Sequence, residues 1–115
     1  MYKTNLMARR NKARSKAVVS PADSLDLVFK ALANAERRLL LEVVRTQPRT
    51  TSELCEQLPD LDRCTVMLHL RVLETAQLLI TKKVGRCKLH TMNVEPVQRL
   101  HDGWIKRNLQ SAGSK

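Results

Sequence analysis

The sequence predicts a mainly α-helical domain that carries one small β-hairpin. Three observations point there. Apolar residues recur at i, i+3, i+4 and i+7 in several stretches, the period of a helix with one buried face. Three Gly and four Pro in 115 residues leave too few tight turns for a β-sandwich or barrel. Only after Leu78 does the helical pattern give way, to two strand-like runs around a glycine.

The elements follow in order. Ser20-Pro21-Ala22-Asp23-Ser24 is a helix-start cluster, and Leu25, Val28, Phe29 and Leu32 form the apolar stripe behind it. Asn34 is placed to cap a second helix, Ala35 to about Arg45, with Leu39, Leu40, Val43 and Val44 facing inward; Gln47-Pro48-Arg49 breaks it. Thr50-Thr51-Ser52-Glu53 spells a capping box, Thr50 at N-cap and Glu53 at N3, for a short helix that ends near Leu58 at Pro59. Asp62 can cap a fourth helix, Arg63 to about Ala76, whose inner stripe is Val66, His69, Leu70 and Leu73. Leu79 to Lys83 and Cys87 to Met92 read as strands about the turn Val84-Gly85-Arg86. Asn93 then caps a fifth helix to about Leu109, with Val97, Leu100, His101 and Trp104 on one stripe. There is no internal repeat. The expected organisation is a basic flexible arm at 1–19, one domain at 20–110 and a disordered tail at 111–115.

Composition narrows the function classes. Apolar residues make up 43%, yet Phe, Trp and Tyr occur once each, so the core must come from Leu, Val, Ile, Ala and Met. No apolar run approaches the ~20 residues of a membrane span. The basic start lacks the apolar stretch of a secretory signal. Cys55, Cys64 and Cys87 have no paired spacing, which argues against a disulfide framework. A cytoplasmic, nucleoid-associated protein is expected. Lys and Arg outnumber Asp and Glu by 21 to 11, a net charge of +10. Lys3, Arg9, Arg10, Lys12, Arg14 and Lys16 put six of those cations into the first 17 residues, with no acid among them. Such a balance points to a polyanionic partner, with the arm lying along phosphates or serving as a solubilising tail.

A short helix, a turn and a longer helix make a helix-turn-helix, and a basic hairpin directly after it makes a winged helix. The second of those helices, about 63–76, is narrow enough for a major groove, and the wing, about 79–92, reaches the neighbouring backbone or minor groove. Val28-Phe29-Lys30-Ala31-Leu32-Ala33-Asn34-Ala35-Glu36-Arg37-Arg38 resembles the opening of ArsR-type winged-helix repressors. Thr50 to Leu54 and Val66 to Glu74 resemble that family's third and recognition helices, and the likeness runs from about Leu25 to Trp104. It is closest to the subgroup without a recognised metal site. The resemblance implies a homodimer joined through the first and last helices, seated on a palindromic operator and repressing transcription. Leu25, Val28, Val97, Leu100, His101 and Trp104 are the expected interface, with Trp104 either there or folded back on its own first helix.

Residues expected at double-stranded DNA are Thr51, Arg63, Cys64, Thr65, Met67, Leu68 and Arg71 in the helix-turn-helix, with Lys82, Lys83, Arg86 and Lys88 in the wing. Arg37 and Arg38 join them because they follow a helix N-cap, where N–H groups favour phosphate. Arg63 either pairs with a guanine or forms a salt bridge to Asp60 or Asp62. Met67 and Leu68 offer no hydrogen bond; they suit thymine methyls or, alternatively, a protein partner. A protein-interaction module and a sequence-neutral DNA-coating protein are therefore the rival readings, and an effector is left open.

Where metal-sensing relatives show two cysteines separated by one residue, this chain has Cys55 and Gln57, and His101-Asp102 lacks a later His or Glu. No metal or other cofactor is expected. Cys55 reads as a small core residue, Cys64 as a candidate redox switch at a helix N-terminus. His69 reads as a hydrogen-bonded packing residue and His90 as open to either role. No Gly-rich phosphate loop, catalytic triad order or H-E-x-x-H appears, so no enzyme is expected.

Overall fold

A computed structural model describes residues 21–113. The arm expected at 1–19 lies outside the described residues, as do the last two positions of the tail expected at 111–115. The elements are α1 (Pro21–Leu32), α2 (Ala35–Thr46), β1 (Arg49–Thr50), α3 (Thr51–Gln57), α4 (Arg63–Thr75), β2 (Leu79–Val84) and β3 (Cys87–Met92). A last helix follows, as α5 (Glu95–Leu100), a π-helical turn (His101–Ile105) and α6 (Lys106–Gly113).

The caps form as the sequence spells them. The Asn34 side chain accepts from the Arg37 N–H at 3.0 Å. Thr50 Oγ1 accepts from the Glu53 N–H at 3.2 Å while Glu53 Oε1 accepts from the Thr50 N–H at 2.9 Å, which closes the capping box. Asp62 Oδ1 accepts from the Thr65 N–H at 2.7 Å. The cap expected at Asn93 falls one residue later, at Val94. Asn93 instead ties two segments: its Oδ1 accepts from the Glu95 N–H at 3.3 Å and its Nδ2 donates to the Gln77 carbonyl at 2.9 Å.

α4 ends in a Schellman motif without glycine. The Leu78 N–H donates to the Leu73 carbonyl and the Gln77 N–H to the Glu74 carbonyl, with Gln77 in the left-handed region at φ 63°. Leu73 and Leu78, the pair such a motif brings together, are both fully buried. They join Val28, Ala31, Leu40, Leu41, Val44, Leu54, Val66, Leu70 and Leu100 in one core. Leu39, expected inside, is exposed, and Leu41 takes its place. Leu39-Leu40-Leu41 is an unbroken apolar run, so periodicity alone does not choose between its two ends.

The hairpin pairs Val84 with Cys87, leaving a two-residue turn, Gly85-Arg86, tighter than the three residues expected. Gly85 at φ +62° takes the left-handed first position of a type II′ turn. β1 adds a third strand, unforeseen in the sequence, by pairing Arg49 with His90 and Thr50 with Leu89; the sheet order is β1-β3-β2. Two residues carry no alternation to read.

Candidate nucleic-acid interface

Residues 58–62 form the turn between α3 and α4, and Asp62 sets where α4 begins. The Thr65 N–H, then the Thr65 hydroxyl and the Cys64 N–H, hold the Asp62 carboxyl below the usual carboxylate range. That keeps the cap ionised at the positive end of the helix. From this start, Arg63, Cys64, Met67, Leu68 and Arg71 all fall on the outer face of α4 and are exposed, while Val66, Leu70 and Leu73 anchor the inner one. Thr65 is half-buried and turned to the cap.

The wing leaves the body at the Thr81–His90 pair, and every residue from Lys82 to Lys88 is exposed. Lys83 and Lys88 are directly opposite across the two strands. Like charges in that register are unfavourable in water, and a polyanion relieves them. Between the start of α3, the start of α4 and the wing lies a cleft of about 270 Å³. Arg63, Arg86 and Lys88 line it, beside Thr50 and Ser52, with no carboxylate among its walls. Among the described residues no ion pair engages Arg63, so the bridge to Asp60 or Asp62 does not form. Lys30, which the sequence reading did not single out, lines a groove of about 240 Å³ with Leu68 and Arg71. Only the packing of α1 on α4 brings it there.

Several expected site residues have other work. Arg37 donates from Nε to the Ala31 carbonyl and from Nη2 to the Lys30 carbonyl, each at 2.9 Å, and its Nη1 meets His69 Nδ1 at 3.2 Å. Arg38 Nη1 donates to the Leu32 carbonyl at 2.6 Å. Both arginines thus satisfy the orphan carbonyls at the negative end of α1 rather than standing free for phosphate. Thr51 is buried, with Oγ1 2.8 Å from His90 Nε2. Val28 and Leu100, expected at a dimer interface, are core residues. Leu25 and Val97 are half-buried, and His101 is exposed with Nδ1 3.0 Å from Asp102 Oδ1. Trp104 meets Phe29 edge-on, ring centroids 5.6 Å apart, yet remains 44% exposed beside a groove lined by Leu25, Pro96 and Arg107. Cys55 packs half-buried against the core, whereas Cys64 and Cys87 are exposed. Among the described residues no three His, Cys, Asp or Glu side chains converge, and no helix is long and apolar enough to cross a membrane.

A short capped helix, a turn, a longer helix with a basic outer face and a cationic two-stranded wing define a winged helix-turn-helix protein. No protein-family profile matches the chain. Over 87 residues, 70% of this chain and 95% of the relative, it is 36% identical to the HTH-type transcriptional regulator YuzN of Bacillus subtilis (strain 168). It is also similar to the crystal structure of an ArsR family transcriptional regulator, with a TM-score of 0.76 and 26% identity over 85% of this chain and 99% of that one. HlyU from Vibrio cholerae N16961 shares the fold, with a TM-score of 0.61 at 19% identity over 85% of this chain and all of its own. The chain belongs to the ArsR family of helix-turn-helix transcriptional regulators, a DNA-binding and non-enzymatic class.

Proposed function

We propose that the chain is a dimeric repressor seated on a palindromic operator, with α4 in the major groove and the wing on the adjacent backbone. One observation carries this reading. Arg63 and Met67 of α4 line the same cleft as Arg86 and Lys88 of the wing, and Lys88 lies opposite Lys83, a cationic surface suited to a groove edge and its phosphates. Arg63 and Arg71 are the polar readers, and Met67 and Leu68 meet thymine methyls. Cys64, Lys82, Lys83, Arg86 and Lys88 complete the contact surface.

A second copy covers the Phe29–Trp104 edge. An exposed aromatic pair beside an apolar groove is the kind of patch that marks an interface. A two-fold axis there puts two recognition helices in successive major grooves, about 34 Å apart. A small basic chain on a promoter blocks polymerase by occupancy, and its place of action is the cytoplasmic nucleoid. Footprinting on the DNA upstream of its own coding region tests the reading: two protected half-sites related by a dyad support it. Uniform protection at all sequences favours the coating reading instead.

The exposed Met67-Leu68 pair favours a second reading, a protein-interaction module. Under it, Leu68→Ala leaves DNA affinity unchanged, whereas lost thymine contacts weaken only the operator.

A further inference from the structure

Two polar side chains, Thr51 and His90, are buried among the described residues, and they touch each other. They belong to a longer chain of hydrogen bonds. His90 Nε2 lies 2.8 Å from Thr51 Oγ1 at the start of α3, and His90 Nδ1 lies 2.8 Å from Thr81 Oγ1 on β2. Thr81 in turn donates to the Glu74 carboxylate in the last turn of α4. Because the carboxylate only accepts, the directions follow: Thr81 gives its proton to Glu74, His90 Nδ1–H donates to Thr81, and Nε2 accepts from Thr51. Every member is satisfied with a neutral imidazole. Burial, helped by Lys88 and opposed by Glu74, pushes the His90 pKa below its ordinary value and favours that form.

The position of this relay matters more than its burial. Thr81 and His90 are cross-strand neighbours at the point where the wing leaves the body. Beyond them, from Lys82 to Lys88, no side chain is buried, so apolar packing does not orient the outer wing. A small pocket of about 60 Å³ opens to the surface between α4 and the wing base, with Thr51, Glu74 and His90 of the relay among its walls. Leu79 and Met92 pack the wing base on the core, and the relay adds directional hydrogen bonds from that base to α4 and α3.

We infer that His90, through Thr81 to Glu74 and through Thr51 to α3, is the positioning residue that fixes the wing's angle to the recognition helix, so that wing and helix meet one stretch of duplex together. The inference rests on the proposed wing contact with DNA and adds what holds the wing for it. His90 itself touches no DNA; it acts through Lys82, Lys83, Arg86 and Lys88.

The test is a double-mutant cycle read by fluorescence anisotropy on a labelled duplex from upstream of the coding region. Thr81→Val removes the hydroxyl at nearly constant shape, Thr81→Ser keeps it, and Lys82→Ala/Lys83→Ala/Arg86→Ala/Lys88→Ala strips the wing. Thr81→Val is expected to weaken binding roughly 2- to 30-fold, the range for residues that act on a ligand without touching it. Thr81→Ser stays near the parent, and on the stripped wing Thr81→Val has no further effect. Circular dichroism checks folding, and Thr81→Ala enters the same cycle if the valine variant does not fold. An equal loss with and without wing cations overturns the inference, because the relay then supports only the fold. No loss in either background overturns it too. If stripping the wing leaves affinity unchanged, the wing contact itself fails and the inference falls with it.

Discussion

Gln77 occupies a backbone position that suits glycine. Its φ of 63° closes the Schellman motif that ends α4, and a side chain there carries the left-handed penalty. Gln77→Gly is expected to stabilise the domain by about 0.5–1 kcal/mol, seen as a higher thermal midpoint with DNA affinity unchanged. His90 gives the opposite kind of single-residue effect. Its folded pKa lies below the ordinary 6.5, so the unfolded chain binds the proton first as pH falls. Its contribution to stability is therefore complete above about 6.5 and declines as pH drops from there towards the folded value. Denaturant titrations across that range should show the decline, and His90→Phe should flatten it. The residue scale was only partly legible in sequence. Asn34, Thr50, Glu53 and Asp62 announced their caps because a cap is a local bond between residues three apart. Thr51 and His90 are 39 residues apart and meet only in the folded sheet. Arg37 stood after an N-cap and read as a phosphate ligand, yet two of its acceptors belong to the helix before it and the third is His69 on α4.

Helices were legible as elements because their stripes and caps agree, and the wing because a glycine divides two strand-like runs. β1 was too short to announce itself, and the apolar run in α2 hid its register. The wing's own register holds a conflict, Lys83 facing Lys88. Lys83→Thr is expected to stabilise the free protein by about 0.2–1 kcal/mol while weakening DNA binding, opposite signs from one substitution. Thermal melts and anisotropy on the same samples check both. The last helix carries the other test at this scale. Trp104 meets Phe29 edge-on and stays exposed, and the proposed dimer covers the rest with a second copy. Trp104→Ala should shift the protein towards monomer in light scattering over a concentration series; an unchanged dimer would remove that helix from the interface.

At the scale of the molecule, the proposed function has charge supply affinity and α4 supply discrimination. The first 17 residues hold six of the 21 Lys and Arg. Deleting them should weaken operator and random DNA alike and flatten the salt dependence, since each phosphate neutralised adds about −0.9 to the log–log slope. The most direct measurement of the central claim is the affinity of Arg63→Ala for the footprinted operator and for a random duplex, side by side. Arg63 leads the outer face of α4 and lines the cationic cleft without an ion pair of its own among the described residues. A helix that reads sequence predicts a loss of about 1–3 kcal/mol on the operator and little on random DNA. An equal loss on both would contradict the account, leaving α4 a phosphate-binding surface that does not read bases.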